Sequence, residues 1–272
     1  MKSLFKLVLL LVVLTISAST TLSAQKSSPS ASSRQTIKFD HLTIEDGLSQ
    51  SSVFAIVQDK RGLMWFGTWD GLNMYDGYQF TIYKYNPQNP YSLSGNEIQA
   101  LYEDRQGMLW VGTMNGFCRF DREKERFIRY QHDPDNPDSL AGNKVHAIAE
   151  DHNGILWVGT EDGGLSSFNR RTGQFSHYRH EPENSENIGH NNVQALYVDS
   201  QGMLWIGTWG GGLHRFDPNT ERFTIYQHAP NEPTSLSDNF VRAVYEDQQG
   251  TVWVGTESTK LSLRLVGSLG AC

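Results

Sequence analysis

One short string recurs along the chain and limits the folds that it can adopt. Trp-x-Gly-Thr occurs five times, at intervals of 45, 47, 48 and 48 residues. The copies start at Trp65, Trp110, Trp157, Trp205 and Trp253. An Asp stands six residues before each Trp, a Gly three residues after each Asp, and an Ala four residues before each Asp. A fixed period of roughly 40–50 residues is typical of repeat architectures, so each unit is predicted to be a copy of one supersecondary structure.

Each unit divides into four strand-sized segments. In the second unit these are 98–103, 109–113, 117–121 and 126–130. The loop after the second segment contains Asn115-Gly116, which is a hairpin signal. No segment after residue 36 keeps a helical period. The fold class predicted is therefore all-β, a β-propeller of four-stranded antiparallel blades, with about four complete blades and a partial fifth in an incomplete or open ring.

The repeated residues suit the scaffold of such a fold. Ala on the first strand leaves room near the axis, where blades crowd together. The Trp on the second strand fills the widening gap between blades, because an indole buries about 150–250 Å². The Gly two residues later permits close approach of the backbone. A chemical site needs one of each group and not five, so these positions are interpreted as structural.

The predicted boundaries follow the repeat. Residues 37–265 form the propeller, and residues 266–272 an irregular tail. The blades are predicted at about 53–83, 98–130, 145–179 and 193–226, with a partial blade at 241–265. Residues 38–43 resemble a fourth strand, and a five-bladed ring closed by them is one alternative. A truncated piece of a larger ring is favoured, because the repeat pattern is lost abruptly after the fifth Trp.

The N-terminal segment resembles a secretory signal. Two Lys precede a ten-residue run, 7–16, that is apolar apart from Thr15, and small residues lead to a cleavage site after Ala24. Residues 1–24 are therefore predicted to be a signal peptide and 25–36 a flexible, Ser-rich leader. The mature protein is expected outside the cytoplasmic membrane. Its net charge of −7 disfavours nucleic acid as a partner, because that partner needs a basic surface.

The unit 154–165, Gly-Ile-Leu-Trp-Val-Gly-Thr-Glu-Asp-Gly-Gly-Leu, resembles the two-component regulator propeller repeat. The segment 39–49 resembles the start of such sensor regions. The resemblance covers residues 37 to about 256. It implies the periplasmic sensor of a hybrid two-component histidine kinase of the Bacteroidetes type, a homodimer when intact. The kinase and regulator parts, and the membrane helix, lie outside this chain, so the chain itself is expected not to be an enzyme.

The candidate binding residues lie where the scaffold repeats but the residue type changes. In a meander, the second-to-third-strand loops and the links between blades share one face. Exposed Trp side chains there suit stacking on sugar rings, and carboxylates suit hydrogen bonds to hydroxyls. A small-molecule or oligosaccharide ligand, more specifically a carbohydrate, is therefore predicted. The candidate residues are Trp69, Asp70, Asn115, Lys144, Glu161, Asp162, Asn192, Trp209 and Phe240.

Other chemistry finds little support in the residue pattern. The repeated His132, His180 and His228 are interpreted as structural or surface residues, and no metal or cofactor is predicted. The two cysteines build neither a disulfide framework nor a cysteine metal site. Neither a Gly-x-Ser-x-Gly elbow nor a phosphate-binding Gly-Lys-Ser/Thr loop occurs. Two alternatives to a sensor remain, a lyase or glycoside hydrolase acting at the same mouth, and a protein-interaction platform.

Overall fold

Each repeat unit forms its own antiparallel sheet. The computed structural model describes residues 38–184 and 187–258. Within them, four sheets have four strands paired in chain order, and the fifth has two. The strands are β1 Val53–Gln58, β2 Met64–Thr68, β3 Gly71–Tyr75 and β4 Phe80–Tyr83; β5 Ile98–Glu103, β6 Leu109–Thr113, β7 Gly116–Asp121 and β8 Arg126–Tyr130; β9 Val145–Glu150, β10 Leu156–Thr160, β11 Leu165–Asn169 and β12 Gln174–Tyr178; β13 Val193–Val198, β14 Leu204–Thr208, β15 Leu213–Asp217 and β16 Arg222–Tyr226; β17 Val241–Glu246 and β18 Val252–Thr256. The predicted all-β architecture of four-stranded blades is confirmed, and we number the blades 1 to 5.

The segment proposed as a closing strand does not form one. Residues 38–43 have no strand structure, and a short 3₁₀ turn, Ile44–Asp46, follows with Thr43 as its N-cap. The sheet of blade 5 contains β17 and β18 alone within the described residues. The five-bladed alternative closed by residues 38–43 is therefore wrong for the part of the chain described. The predicted signal peptide, the leader, the end of blade 5 and the tail at 266–272 lie outside the described residues.

Adjacent blades approach closely at the repeated Gly of each second strand. A Cβ on Gly67 would lie 2.6 Å from Ile98 Cγ2, and one on Gly112 would lie 2.6 Å from Val145 Cγ1. Gly159 and Gly207 meet the first residue of the following blade in the same way. These glycines let the β-branched residue that starts each first strand pack against the preceding blade, as the sequence predicts.

The repeated Trp fills the gap between blades. Trp65 is fully buried, and its ring lies 5.4 Å from that of Phe120 in blade 2. Trp110 and Trp157 contact the equivalent Phe168 and Phe216 of the following blades. Edge-to-face contacts of this kind add about 0.5–1.5 kcal/mol each to the free energy gained by burial. The predicted role of the Trp as a wedge is confirmed for blades 1 to 4, whose Trp side chains are buried against the following blade.

Two arginines join the first three blades to one another, one at each interface. Arg122, just after β7, reaches back to blade 1 and places its Nη1 2.6 Å from Asp59 Oδ2. Its Nη2 lies 3.3 Å from Glu103, which ends β5. Arg170, just after β11, makes the equivalent pairs with Asp104 and Glu150. Burial raises the pKa of Asp59, but hydrogen bonds from Trp65 and Arg122 and the arginine charge outweigh it and hold the pKa below its usual value.

The sheets do not close into a ring within the described residues. First strands neighbour one another in the order β1, β5, β9, β13, β17, and no extensive contact joins β17 to β1. Ile56 on the outer face of blade 1 is 58 % exposed, and Trp253 of blade 5 is 41 % exposed, whereas Trp65 and Trp110 are buried. None of the helices among these residues is long and apolar enough to cross a lipid bilayer.

Candidate functional site

Residue type varies most on the face formed by the second-to-third-strand loops and the links between blades. In every blade the first loop residue donates its backbone N–H to the carbonyl of the residue before the first strand, as Trp69 does to Ser52 and Trp209 does to Asn192. This bond brings three variable positions of each blade together: the residue before the first strand, the second residue of that strand, and the first loop residue. We call these positions the rim. They are Ser52, Phe54 and Trp69; Glu97, Gln99 and Met114; Lys144, His146 and Glu161; Asn192, Gln194 and Trp209; Phe240, Arg242 and Glu257.

The residues that repeat on this face are structural. The side-chain oxygen of Asn143 accepts the backbone N–H of His132 at 2.8 Å, and the Asn143 carbonyl accepts that of Gly116. His132 Nδ1 lies 2.8 Å from the carbonyl of Leu140 in the same link. The equivalent Asn and His of the other links make the same bonds, except that Tyr85 takes the histidine position in the first link. The structural role predicted for the repeated His is confirmed, and the repeated Asn at the end of each link also holds that link in place.

The rim residues of blades 4 and 5 form a contiguous aromatic and polar cluster. Trp209 and Phe240 meet edge to face with ring centroids 4.8 Å apart, and an isolated β-bridge pairs them. The guanidinium of Arg242 lies 4.0 Å from the Trp209 ring centroid, and its Nη1 is 3.1 Å from Gln194 Oε1. Gln194 also donates to Asn192. Three predicted site residues, Trp209, Phe240 and Asn192, therefore belong to one cluster that bridges two blades.

Blade 3 contributes a charged group to the rim. Lys144 Nζ lies 2.9 Å from Glu161 Oε1, and His146 Nε2 lies 3.3 Å from Glu161 Oε2. The hydrogen bond from Lys144 is the main reason that the pKa of Glu161 lies below its usual value; burial opposes it and His146 assists it. The same hydrogen bond raises the pKa of Lys144. Lys144 and Glu161 were predicted as site residues from the sequence, and the structure pairs them.

Blade 1 carries the second indole of the rim, Trp69, which is more exposed than the half-buried Trp209. Trp69 is 51 % exposed, and its ring lies 5.6 Å from that of Phe54. Asp70, the residue after it, pairs with Lys84 at 2.6 Å and accepts a hydrogen bond from Asn96 at 3.2 Å. The Trp69 ring is therefore half exposed to solvent, whereas the Asp70 carboxylate already has two partners, Lys84 just after blade 1 and Asn96 in the link to blade 2.

Two predicted site residues lie against the links between blades. Asn115 donates its side-chain amide to the carbonyl of Ser94 at 2.9 Å. Asp162 occupies the equivalent loop position in blade 3 and lies so close to Gly142 that a Cβ there would clash with it. The contacts of Asn115 hold its loop in place, and the structure does not bring Asn115 or Asp162 into the clusters formed by the other candidates.

The sequence analysis missed the second residue of each first strand. Phe54, His146 and Gln194 occupy this position and contact predicted residues of their own blades, whereas Arg242 of blade 5 contacts Trp209 of blade 4. A register shift in the first strand spans this position in each blade, for example between Val241 and Ala243. Its signal in the sequence was its variability between a β-branched Val or Ile and a constant Ala. Among the described residues, no group of three or more His, Cys, Asp or Glu side chains is arranged to hold a metal ion.

The comparisons with known proteins bear on both fold and family. The family described as SMP-30/Gluconolactonase/LRE-like region matches residues 26–237. The chain belongs to this family. Within this SMP-30/gluconolactonase/LRE-like chain, residues 235–258 also match the two component regulator propeller. The resemblance to that repeat family is confirmed.

Relatives of this SMP-30/gluconolactonase/LRE-like protein include a histidine kinase and extracellular domains of two component systems. Histidine kinase P4 of Formosa agariphila is 55 % identical over 56 residues, which are 21 % of this chain and 4 % of that protein. The extracellular domain of a hybrid two component system from B. thetaiotaomicron is 28 % identical with a TM-score of 0.52, covering 80 % of this chain and 40 % of that one. A second such domain has a TM-score of 0.63 at 24 % identity, covering 76 % of this chain and 26 % of that one.

The same fold also occurs in an enzyme. Virginiamycin B lyase from Staphylococcus aureus has a TM-score of 0.54 at 14 % identity, covering 75 % of this chain and 62 % of that one. Identity at this level shows the shared fold alone. The chain spans less than half the length of the histidine kinase and of the two extracellular domains that it matches.

Proposed function

We propose that the chain is an extracytoplasmic ligand-sensing propeller of a hybrid two-component histidine kinase, and that its rim binds a carbohydrate. The observation that supports the proposal is the contrast within one face: the scaffold repeats from blade to blade, while the rim residues differ. Uniform scaffold positions provide rigidity. Differing residues at equivalent places provide an asymmetric surface that can distinguish one ligand from another.

The chemistry of the rim suits a sugar. A pyranose ring presents an apolar face for stacking and hydroxyls around its edge. Trp69, packed against Phe54, and Trp209, packed against Phe240, offer aromatic surfaces in two blades. The amide and carboxylate groups beside them accept hydrogen bonds from hydroxyls.

The mechanism is a shift of population. A ligand that binds one arrangement of the sensor subunits more tightly than another raises the share of that arrangement, by no more than its difference in affinity. In the intact receptor, proposed to be a homodimer, the downstream parts carry this change across the membrane. The relatives that are extracellular domains of hybrid two-component systems support this location and role.

Titration calorimetry of the purified chain against a panel of oligosaccharides tests the proposal. A panel member is expected to bind, and Trp69→Ala and Trp209→Ala each weaken its affinity by about tenfold to a hundredfold, since stacking and burial of one ring contribute about 1.5–3 kcal/mol. Tyr78→Ala is the matched control, because Tyr78 is a 94 % exposed aromatic in the third-to-fourth-strand turn of blade 1, away from the rim. The Tyr78→Ala variant should bind the same oligosaccharide with the affinity of the unchanged chain.

Two outcomes contradict the proposal. Equal affinity in Trp69→Ala, Trp209→Ala and the unchanged chain removes the rim as the carbohydrate site. Release of product from the bound sugar, lost in Glu161→Gln, favours a lyase or hydrolase instead. The family match and the charged group of Lys144, His146 and Glu161 are the observations that make this second function worth testing in the same samples.

A further inference from the structure

The third blade interface lacks the arginine that joins the blades before it. Arg122 and Arg170 follow the third strands of blades 2 and 3 and bind the buried Asp of the preceding blade. At the same position in blade 4 stands Pro218. The carboxylate that ends the first strand, Glu103 or Glu150 in blades 2 and 3, is Val198 in blade 4. Both the cation and its second acidic partner are therefore replaced at the interface between blades 3 and 4.

Asp151 consequently has fewer partners than Asp59 and Asp104, its equivalents in blades 1 and 2. It is 2 % exposed, and its Oδ1 accepts the backbone N–H of Asn153 and Ile155, each at 2.9 Å. Its Oδ2 accepts the indole N–H of Trp157 at 3.0 Å. In blades 1 and 2 the same oxygen accepts an indole N–H and also an arginine N–H. A carboxylate oxygen accepts two hydrogen bonds readily, so Asp151 Oδ2 retains capacity for one donor.

A cavity adjoins this carboxylate. It has a volume of about 290 Å³ and lies between blade 3 and the Pro218 turn of blade 4. Its walls include Asp151, Trp157, Ser167, Ser176, Tyr178 and Glu221. Several other lining residues are exposed, so the cavity opens to solvent at the edge of the interface.

Small side chains in blade 3 make room for the cavity. Ser167 and Ser176 lie beside Trp157 on the face that meets blade 4. The residue equivalent to Ser167 is Met74 in blade 1, Arg119 in blade 2 and Arg215 in blade 4, each beside the Trp of its own blade. Blade 3 thus combines a small residue on its own surface with the loss of the arginine from the next blade.

The charge of the cavity favours a cation. Asp151 and Glu221 are its charged lining residues, and no Lys or Arg is among the residues that line it. The hydroxyl of Tyr178 lies 3.3 Å from Glu221 Oε1, and burial, with the charge of Glu221 and this hydrogen bond, raises the pKa of Tyr178 to about 12. The Trp157 ring adds a π face, equivalent to the Trp65 ring over which Arg122 lies at 5.7 Å.

We propose that this cavity binds a guanidinium group supplied by another molecule, in the place that arginine occupies at the two preceding interfaces. The guanidinium donates to Asp151 Oδ2 and lies against the Trp157 ring. It comes from a free alkylguanidine or from an arginine side chain of a peptide. This site is distinct from the rim and does not depend on the proposed carbohydrate ligand.

Calorimetric titration of the whole chain with agmatine tests the proposal. Agmatine, an alkylguanidine, should bind. Putrescine has the same carbon chain with an ammonium in place of the guanidinium, and it should bind more weakly because an ammonium cannot present a planar pair of donors. A Gly-Arg-Gly peptide forms the second arm. Binding of agmatine identifies a free guanidine as sufficient, whereas binding of the peptide alone identifies an arginine within a polypeptide as the ligand.

Two variants separate this site from nonspecific binding. Pro218→Arg introduces the arginine found at Arg122 and Arg170, and should weaken guanidinium binding by at least about tenfold and raise the unfolding temperature. Ser167→Met introduces the residue found at Met74 and should fill the cavity with the same loss of affinity. Gln249→Ala, in an exposed turn of blade 5, is the control and should bind as the unchanged chain does. Absence of binding to both guanidinium probes, or equal binding by Pro218→Arg and the unchanged chain, overturns the proposal.

Discussion

The repeated Asp holds both a tight turn and the Trp that packs between blades, as Asp104 illustrates. Asp104 Oδ1 accepts the backbone N–H of Gln106 and Met108, each at 2.9 Å, which holds the tight turn. Its Oδ2 accepts the Trp110 indole N–H at 2.8 Å. The turn and the wedge between blades are therefore positioned by a single carboxylate. A buried indole N–H left without an acceptor costs about 1–3 kcal/mol, so the spacing of six residues between Asp and Trp has a direct energetic reason.

The glycine of each Trp-x-Gly-Thr string gives a prediction at the residue scale. In Gly112→Ala the new Cβ would lie 2.6 Å from Val145 Cγ1 and 3.1 Å from the Ala100 Cβ, so blades 2 and 3 must separate. We expect a loss of about 1–3 kcal/mol in the free energy of unfolding, measured by urea denaturation. Gly255→Ala is the matched control, since its nearest neighbour is the Ala243 Cβ at 3.5 Å. Equal losses in both variants would contradict the packing argument.

The scaffold was predictable from the sequence, but the site was predictable only in part. Trp, Gly and Asp recur at fixed spacings because each faces the same neighbour in every blade, so repetition reveals their roles. The rim residues contact different neighbours in each blade, and no spacing reveals such contacts. Trp209 and Phe240 were identified from exposure and position, whereas Arg242, which lies over the Trp209 ring, was not. The register of β17 shifts at Arg242, between Val241 and Ala243. The regular alternation of side chains along a strand therefore does not predict the direction of the Arg242 side chain.

At the scale of elements, a residue near the start of the third strand holds the segment that precedes the first strand of its own blade, in blades 1, 2 and 4. Asn73 accepts the backbone N–H of Ser49 at 2.8 Å, and Cys118 accepts that of Ser94 at 3.3 Å. In blade 4 the residue is His214, whose Nε2 accepts the N–H of Gly189 at 2.8 Å. Three different residues thus perform the same function, and the imidazole is the one whose acceptor is lost on protonation.

The presence of His at this position makes the stability of blade 4 depend on pH. Burial, the largest cause, lowers the pKa of the fully buried His214 to about 4, against about 6.5 when the chain is unfolded. The unfolded chain therefore binds the proton first as the pH falls, and the free energy of unfolding decreases between pH 6.5 and pH 4. The loss attributable to His214 is on the order of 3 kcal/mol, to be measured by urea denaturation across this range.

The variant His214→Asn isolates this effect. It introduces the residue type found at the equivalent position of blade 1. There Asn73 accepts the N–H of Ser49, in the segment before β1, and an amide does not titrate in this range. The dependence of stability on pH should become shallower than in the unchanged chain. His152→Asn is the control, because His152 is exposed and should leave the dependence as it was. An unchanged pH profile in His214→Asn would show that the imidazole is not the group responsible.

At the scale of the whole molecule, stability is a sum of blade and interface contributions. Each interior blade contacts two others, whereas blade 1 and blade 5 contact one each among the described residues. In a linear repeat the free energy of opening is smallest where an interface is missing. The exposed Ile56 in blade 1, and Tyr245 and Trp253 in blade 5, mark the faces that lack a neighbour in this structure.

This asymmetry predicts a gradient of amide hydrogen exchange along the chain. The strands of blades 2 and 3 should exchange most slowly, because Trp110 and Trp157 are buried on one side and packed blades cover the other. The amides of β17 and β18 should exchange fastest, since two strands with an exposed Trp253 make few of the contacts that oppose local opening. Exchange followed by mass spectrometry at several protein concentrations measures this gradient. Equal protection of all five blades at the lowest concentration would contradict it, while protection of β17 and β18 that grows with concentration would show that another copy of the chain covers the exposed face.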